Sequence, residues 1–260
     1  MLFRLSVLVI MCLIQQFVLL ADDTAAQIEK ALGERGIAHD VDRDGLITVQ
    51  VHRDPIAAFG IIASLNEVAR KKIDTLILEI KCDDRKAAVQ LASLAELREI
   101  HVSEGCWHPW IAELLSQSKT IHSLWAGGSG LRGDDLKLIG KATQLECLMI
   151  DGNEVKGKDL VHLRDLTKLR QLSLSGSGIG TKDVHWLSSN ERLSALWLGD
   201  TNVDDSIVAV LTPCKKIQLL SVPRTGVTSK GAKQLREQHP KAIVSAGGRG
   251  EVETIAIPNE

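Results

Sequence analysis

Residues 145–155 read LECLMIDGNEV, residues 169–179 read LRQLSLSGSGI, and residues 193–203 read LSALWLGDTNV. Each stretch starts 24 residues after the last and opens apolar-x-x-apolar-x-apolar. The frame extends in both directions. Upstream it gives Ile73/Leu76/Leu78, Leu97/Ile100/Val102 and Ile121/Leu124/Ala126, and downstream Ile217/Leu220/Val222 and Lys241/Val244/Ala246. Lys241 is the one polar residue in the whole frame, whereas a 44% apolar composition would leave about half of it polar by chance.

Other columns keep the same register. The eleventh position of the unit holds Leu131, Val155, Ile179, Val203 and Val227, and the sixteenth holds Leu136, Leu160, Val184 and Val208. The nineteenth holds Leu91, Leu115, Ile139, Leu163, Leu187, Leu211 and Leu235. The sixteenth and nineteenth columns are a helical spacing apart, and the residues before them (Gly133-Asp134-Asp135, Gly157-Lys158-Asp159, Thr181-Lys182-Asp183) carry turn and helix-start chemistry. Asp135, Asp159 and Asp183 could be drawn as a ladder of metal ligands. The bland reading is preferred, because a helix dipole favours acidic residues in its first turn.

These columns resemble the leucine-rich repeat, L-x-x-L-x-L-x-x-N-x-L, over residues 73–246. At the asparagine column the chain has Ser129, Asn153, Ser177, Thr201 and Thr225, so only one unit carries the family residue. Lys81 and Gly105 depart from the pattern. A single unit cannot bury its own apolar face, so an α/β solenoid is expected, with a curved parallel sheet on the concave side and short helices on the convex side. The resemblance implies protein–protein interaction and names no partner.

The flanks fit such a stack. Residues 22–72 are expected to form an N-terminal cap, with a hairpin of Ile37–Val41 and Leu46–Val51 around Asp44-Gly45, and a helix opening at Asp54-Pro55 and running to about Arg70. Residues 247–260 form a tail in which Val252–Ile257 either adds an edge strand or stays free. Residues 1–21 read as a secretory leader: Arg4, an apolar run from Leu5, then Asp22 and Asp23. Cleavage falls after Ala21 or after Ala26, and an uncleaved membrane anchor is the alternative. The chain is therefore expected to be exported, periplasmic or secreted. With 31 basic and 33 acidic residues it has no cationic excess for a nucleic-acid backbone.

Few motifs carry chemistry. Asp40, Asp42 and Asp44, followed by Gly45, match the start of a calcium loop, but Val51 stands where the closing Glu belongs, so the hairpin turn is the better reading. Cys82 and Cys106 share the tenth column of adjacent units, about one strand spacing apart, and are expected to form a disulfide. No H-E-x-x-H, G-x-S-x-G, phosphate loop or C-x-x-C pair occurs, and His101 and Cys147 lie two units apart. No cofactor and no enzyme activity are expected.

The outward positions of the strand are the third, fifth and seventh. The fifth column reads Ile77, His101, Trp125, Met149, Ser173, Trp197, Ser221, and Cys147 and Leu219 stand beside it in the third. Glu79, Asp151 and Asp200 lie toward the strand ends. Exposed Trp and Met amid acidic groups have the composition of a binding surface. The candidate contact residues are His101, Trp125, Met149, Trp197 and Leu219. The expected function is a noncatalytic exported scaffold binding a protein on this face. The alternative is a glycan-binding or structural cell-envelope module, in which Trp faces stack on sugar rings.

Overall fold

In the computed structural model, the described residues are 30, 32–34, 37–41, 46–51, 73–79, 97–247 and 253–254. Their eleven strands form one sheet in sequence order: β1 (Ala38–Val41), β2 (Ile47–Val51), β3 (Ile73–Leu78), β4 (Glu99–Val102), β5 (Ser123–Trp125), β6 (Cys147–Met149), β7 (Gln171–Ser173), β8 (Ala195–Trp197), β9 (Leu219–Pro223), β10 (Ile243–Gly247) and β11 (Glu253–Thr254). From β2 to β10 every neighbour is parallel. The register repeats the sequence period: Ile100 pairs with Leu124, Leu124 with Leu148, Leu148 with Leu172, Leu172 with Leu196, Leu196 with Leu220, and Leu220 with Val244.

Both ends close with an antiparallel strand. β1 pairs with β2 from Ala38↔Gln50 to Val41↔Ile47, and β11 returns along β10 with Thr254 opposite Ser245. Antiparallel returns suit the ends of a stack, since they need no crossover to cover the last ladder edge. Residues 42–45 lie outside the described residues, and with them Asp42 and Asp44 of the calcium candidate. Asp40 turns its carboxylate to the backbone N–H of Val41 at 3.0 Å. The leader, the expected helix from Asp54 to Arg70, and Cys82 are also outside the described residues.

The backs of the units are short and varied. A nine-residue helix α1 (Pro109–Gln117) precedes β5, with His108 as its cap accepting from Trp110 N and Pro109 in the first turn. Then come 3₁₀ turns at Gly133–Asp135, Gly157–Leu163 and Thr181–Ser189, and short helices α2 (Leu136–Ile139) and α3 (Ile207–Leu211). The last back is a full helix, α4 (Ser229–Gln238). A 3₁₀ helix rises about 2.0 Å per residue against about 1.5 Å for an α-helix, so it spans the back of a 24-residue unit with fewer residues.

The stacked aspartates are caps. Asp135, Asp159 and Asp183 accept hydrogen bonds from the backbone N–H groups of Arg132, Lys156 and Gly180 at 3.0, 3.0 and 2.8 Å. Each thereby satisfies a donor left unpaired at the start of a helical turn. Asp159 and Asp183 also lie directly over Gly133 and Gly157 of the preceding unit, where a Cβ would stand 2.0 and 2.2 Å from a carboxylate oxygen.

The core runs between sheet and backs as one column of side chains. The fourth column of the unit is uniform: Ile100, Leu124, Leu148, Leu172, Leu196 and Leu220 are fully buried, as are Leu115, Ile139, Leu163, Leu187, Leu211 and Leu235 in the nineteenth column. In the sixteenth column the sequence register fails once. Val208 is half-buried while Ile207 and Val210 take the core positions, because α3 begins at Ile207 and rotates its apolar face by one residue. The turn column behaves as hydrogen-bond chemistry dictates. Ser129, Thr201 and Thr225 donate to the carbonyls of Ala126, Leu198 and Val222 in their own turns. Asn153 does more, donating to Ala126 O and accepting from Gly130 N and Leu131 N, so its amide ties two units together.

His239, which ends α4, is buried with no hydrogen-bond partner for Nε2 among the described residues. Burial, and then the charge of Lys215, push its pKa below the ordinary histidine value. The unfolded chain therefore takes up this proton first as pH falls. The stabilisation is complete above about pH 6.5 and is lost below it. In urea unfolding the wild type is expected to lose more stability between pH 7.5 and pH 5.5 than His239→Leu does. Equal losses would assign the pH dependence elsewhere.

Candidate functional site: the strand face

Side chains alternate across a strand, so while the fourth and sixth columns fill the core, the fifth is presented on the opposite face. The ladder places His101 beside Trp125, Trp125 beside Met149, Met149 beside Ser173, Ser173 beside Trp197, and Trp197 beside Ser221. On a strand spacing of about 4.8 Å, Trp125 and Met149 are direct neighbours, and Trp197 stands roughly 14 Å from Trp125. Trp125 is 39% exposed. His101, Met149, Trp197 and Leu219 are half-buried. Ser173, in the gap between Met149 and Trp197, is buried. In the third column Ala195, Leu219 and Ile243 continue the apolar surface toward the C-terminal end, and Ile243 is exposed.

Two side chains fix the Trp125 end. The rings of His101 and Trp125 stack with centroids 5.6 Å apart and 21° between planes. Glu99, two residues before His101 and so on the same face, lies with Oε2 3.1 Å from His101 Nε2. A carboxylate only accepts, so the imidazole donates from Nε2. That hydrogen bond holds the Glu99 carboxyl below the usual carboxylate range, against the opposing effect of its partial burial. A carboxylate thus orients an imidazole, which backs an indole. Glu99 escaped the sequence reading, although its spacing from His101 puts the two on one face of any strand.

Cys147 corrects an expectation. The third column should point it at solvent, yet it is 7% exposed, with Sγ 3.8 Å from Gln171 Oε1. Burial, followed by the charge of Glu99, pushes its thiol up to about 12. In its column Cys147 stands between Ser123 and Gln171, with Glu99 one strand beyond Ser123. A thiol so far from ionising is no nucleophile at neutral pH. Cys214 is fully buried, its thiol raised to about 11, and donates to Leu187 O at 3.3 Å. Cys106 is half-buried and points Sγ at Glu104 O, 3.4 Å away. Its expected partner, Cys82, lies outside the described residues.

The turns that leave the strands make the upper rim. Their eighth position is left-handed in successive units: Gly128, Gly152 and Gly176, then Asp200 at φ 57° and Arg224 at φ 54°. Glycine takes this conformation freely, whereas an arginine there costs free energy. Asp200 and Arg224 form a two-pronged ion pair across adjacent units, with Nε 2.5 Å from Oδ1. The pair raises the Arg224 pKa. Farther along the rim, the carboxylate of Asp151 lies over Gly127, 2.9 Å from where a Cβ would stand, and the Glu104 side chain lies against Gly128. Glu104 was not singled out in the sequence. Its turn, after Val102, is the irregular one that Gly105 marks.

No model of a known protein family and no curated protein matches the sequence. Solved structures do match by fold. Internalin C2 of Listeria monocytogenes str. 4b F2365 superposes with a TM-score of 0.59 at 19% identity, over 78% of this chain and 82% of its own. An internalin, inlF, of the same strain superposes with a TM-score of 0.50 at 16% identity, over 78% of this chain and 67% of its own. At such identities the likeness speaks for the backbone, and it agrees with the ladder register and the repeated core columns: the chain has the leucine-rich-repeat fold.

Proposed function

We propose that the chain is a noncatalytic, exported recognition scaffold that binds another protein on its strand face, through His101, Trp125, Met149, Trp197 and Leu219. The observation that carries this reading is the ladder that sets Trp125, 39% exposed, beside His101 and Met149 with Trp197 in the same column. Large apolar side chains contiguous on a rigid surface give up little conformational freedom on binding, and aromatic anchors carry most contact energy. The resemblance of the 24-residue pattern to leucine-rich repeats favours a protein as the ligand. Export rests on the leader at residues 1–21, followed by a cap to 72, the solenoid of 73–246 and a tail. Among the described residues, no helix is long and apolar enough to cross a membrane.

Affinity capture from the envelope fraction with the mature chain tests the reading. Trp125→Ala/Trp197→Ala is expected to weaken partner capture by at least about tenfold while changing unfolding stability by less than about 1 kcal/mol per site. Undiminished capture by the folded double variant would contradict it. Trp-dependent binding on a glycan array without any protein partner would instead favour the glycan-binding module.

A further inference from the structure

We propose that the Trp125 end of the strand face seats a cationic side chain, lysine or arginine, from a basic segment of the partner. This deepens the protein-recognition reading and rests on it. Two independent features converge at this spot. The first is the indole itself, the most exposed tryptophan among the described residues, braced by its stack on His101. A braced indole is a good platform for a cation. The second is the charge around it. Asp151 lies over Gly127 and Glu104 against Gly128, two and three residues beyond Trp125, so both acidic chains reach one turn, and the glycines put no side chain between them.

Among the described residues, no ion-pair partner is found for Asp151, Glu104 or the neighbouring rim residue Glu79. Other acidic groups have partners: Glu146 pairs with Arg170 at 3.0 Å, Asp200 with Arg224, and Glu99 accepts a hydrogen bond from His101. Arg98 and Arg170 stand one residue before β4 and β7, at the opposite ends of the strands. A positive side chain arriving at Trp125 would meet carboxylates of this turn and the face of the indole at once. Met149, next in the ladder, offers apolar surface for the aliphatic stem that lysine and arginine carry below the charge. An acidic or aliphatic segment gains neither.

The test uses the full mature chain and a short labelled peptide alternating lysine and glycine, followed by fluorescence anisotropy. The wild type is expected to bind it, more weakly as salt rises, and to ignore the glutamate–glycine counterpart. Trp125→Leu and the double variant Asp151→Asn/Glu104→Gln should each weaken binding by at least about fivefold. Glu237→Gln, on α4 in an exposed pair with Lys233, removes one carboxylate elsewhere and should leave binding unchanged. No binding by the wild type, or equal binding by wild type and the Trp125 and double variants, would overturn the proposal. The two readings separate cleanly. If a captured protein partner is lost with Trp125→Ala/Trp197→Ala but held by Asp151→Asn/Glu104→Gln as by wild type, the cation seat falls and protein recognition stands. If the peptide binds as expected but no protein depends on the face, the seat stands and protein recognition falls.

Discussion

Leu172→Ala is expected to cost about 2 to 5 kcal/mol of folding stability, read from the urea midpoint at unchanged slope. Leu172 is fully buried in β7, between Leu148 and Leu196 of the adjacent strands. Truncation removes buried methyl groups and leaves a cavity that neighbours on both sides line. In a solenoid each unit contacts only the next, so a defect in the middle of the stack weakens two interfaces together. A loss below about 1 kcal/mol would mean that the stack can collapse onto the gap, and that the column of leucines is not the source of cohesion.

Gly140→Ala should destabilise by about 1 to 3 kcal/mol, a sign opposite to the one its local backbone suggests. Gly140 ends α2 at φ −62° and ψ −15°, a conformation alanine adopts without strain. Replacing glycine there would ordinarily add about 0.4 to 1 kcal/mol by restricting the unfolded chain. The next unit reverses the balance. A Cβ at this position would stand 1.9 Å from the carbonyl oxygen of His162, a backbone atom of the following 3₁₀ turn that cannot rotate aside. Making room means shifting one unit against its neighbour. A raised melting temperature for Gly140→Ala would show that the units slide apart at little cost.

Much of the fold was legible because the 24-residue period fixes which residues share a column, and a parallel ladder keeps columns in line. Ile100 to Leu220 could be placed in the core without coordinates for that reason. Local choices within the units were less legible. The rotation by which α3 exchanges Ile207 for Val208 depends on where a short helix starts, which no column records. The left-handed Asp200 and Arg224 sit where the earlier turns have glycine, and only the two units together reveal the ion pair that ties them. On the strand face, the column told which way His101, Trp125, Met149 and Trp197 point. It could not tell that Cys147 is covered, since that depends on how side chains such as Gln171 beside it are laid. Nor could it bring Glu104 and Asp151 to the turn after Trp125, where Gly127 and Gly128 let the rim side chains come close.

Oxidative footprinting of the mature chain, free and bound to its captured partner, tests most directly whether this face is the recognition surface. Bound partner is expected to protect Trp125, Met149 and Trp197 from oxidation, while Trp186 in the 3₁₀ turn at Thr181–Ser189 and the exposed Val161 at Gly157–Leu163, both on the backs of the units, react as in the free chain. Protection of Val161 and Trp186, with Trp125, Met149 and Trp197 oxidised as before, would place the partner on the convex side and contradict the account.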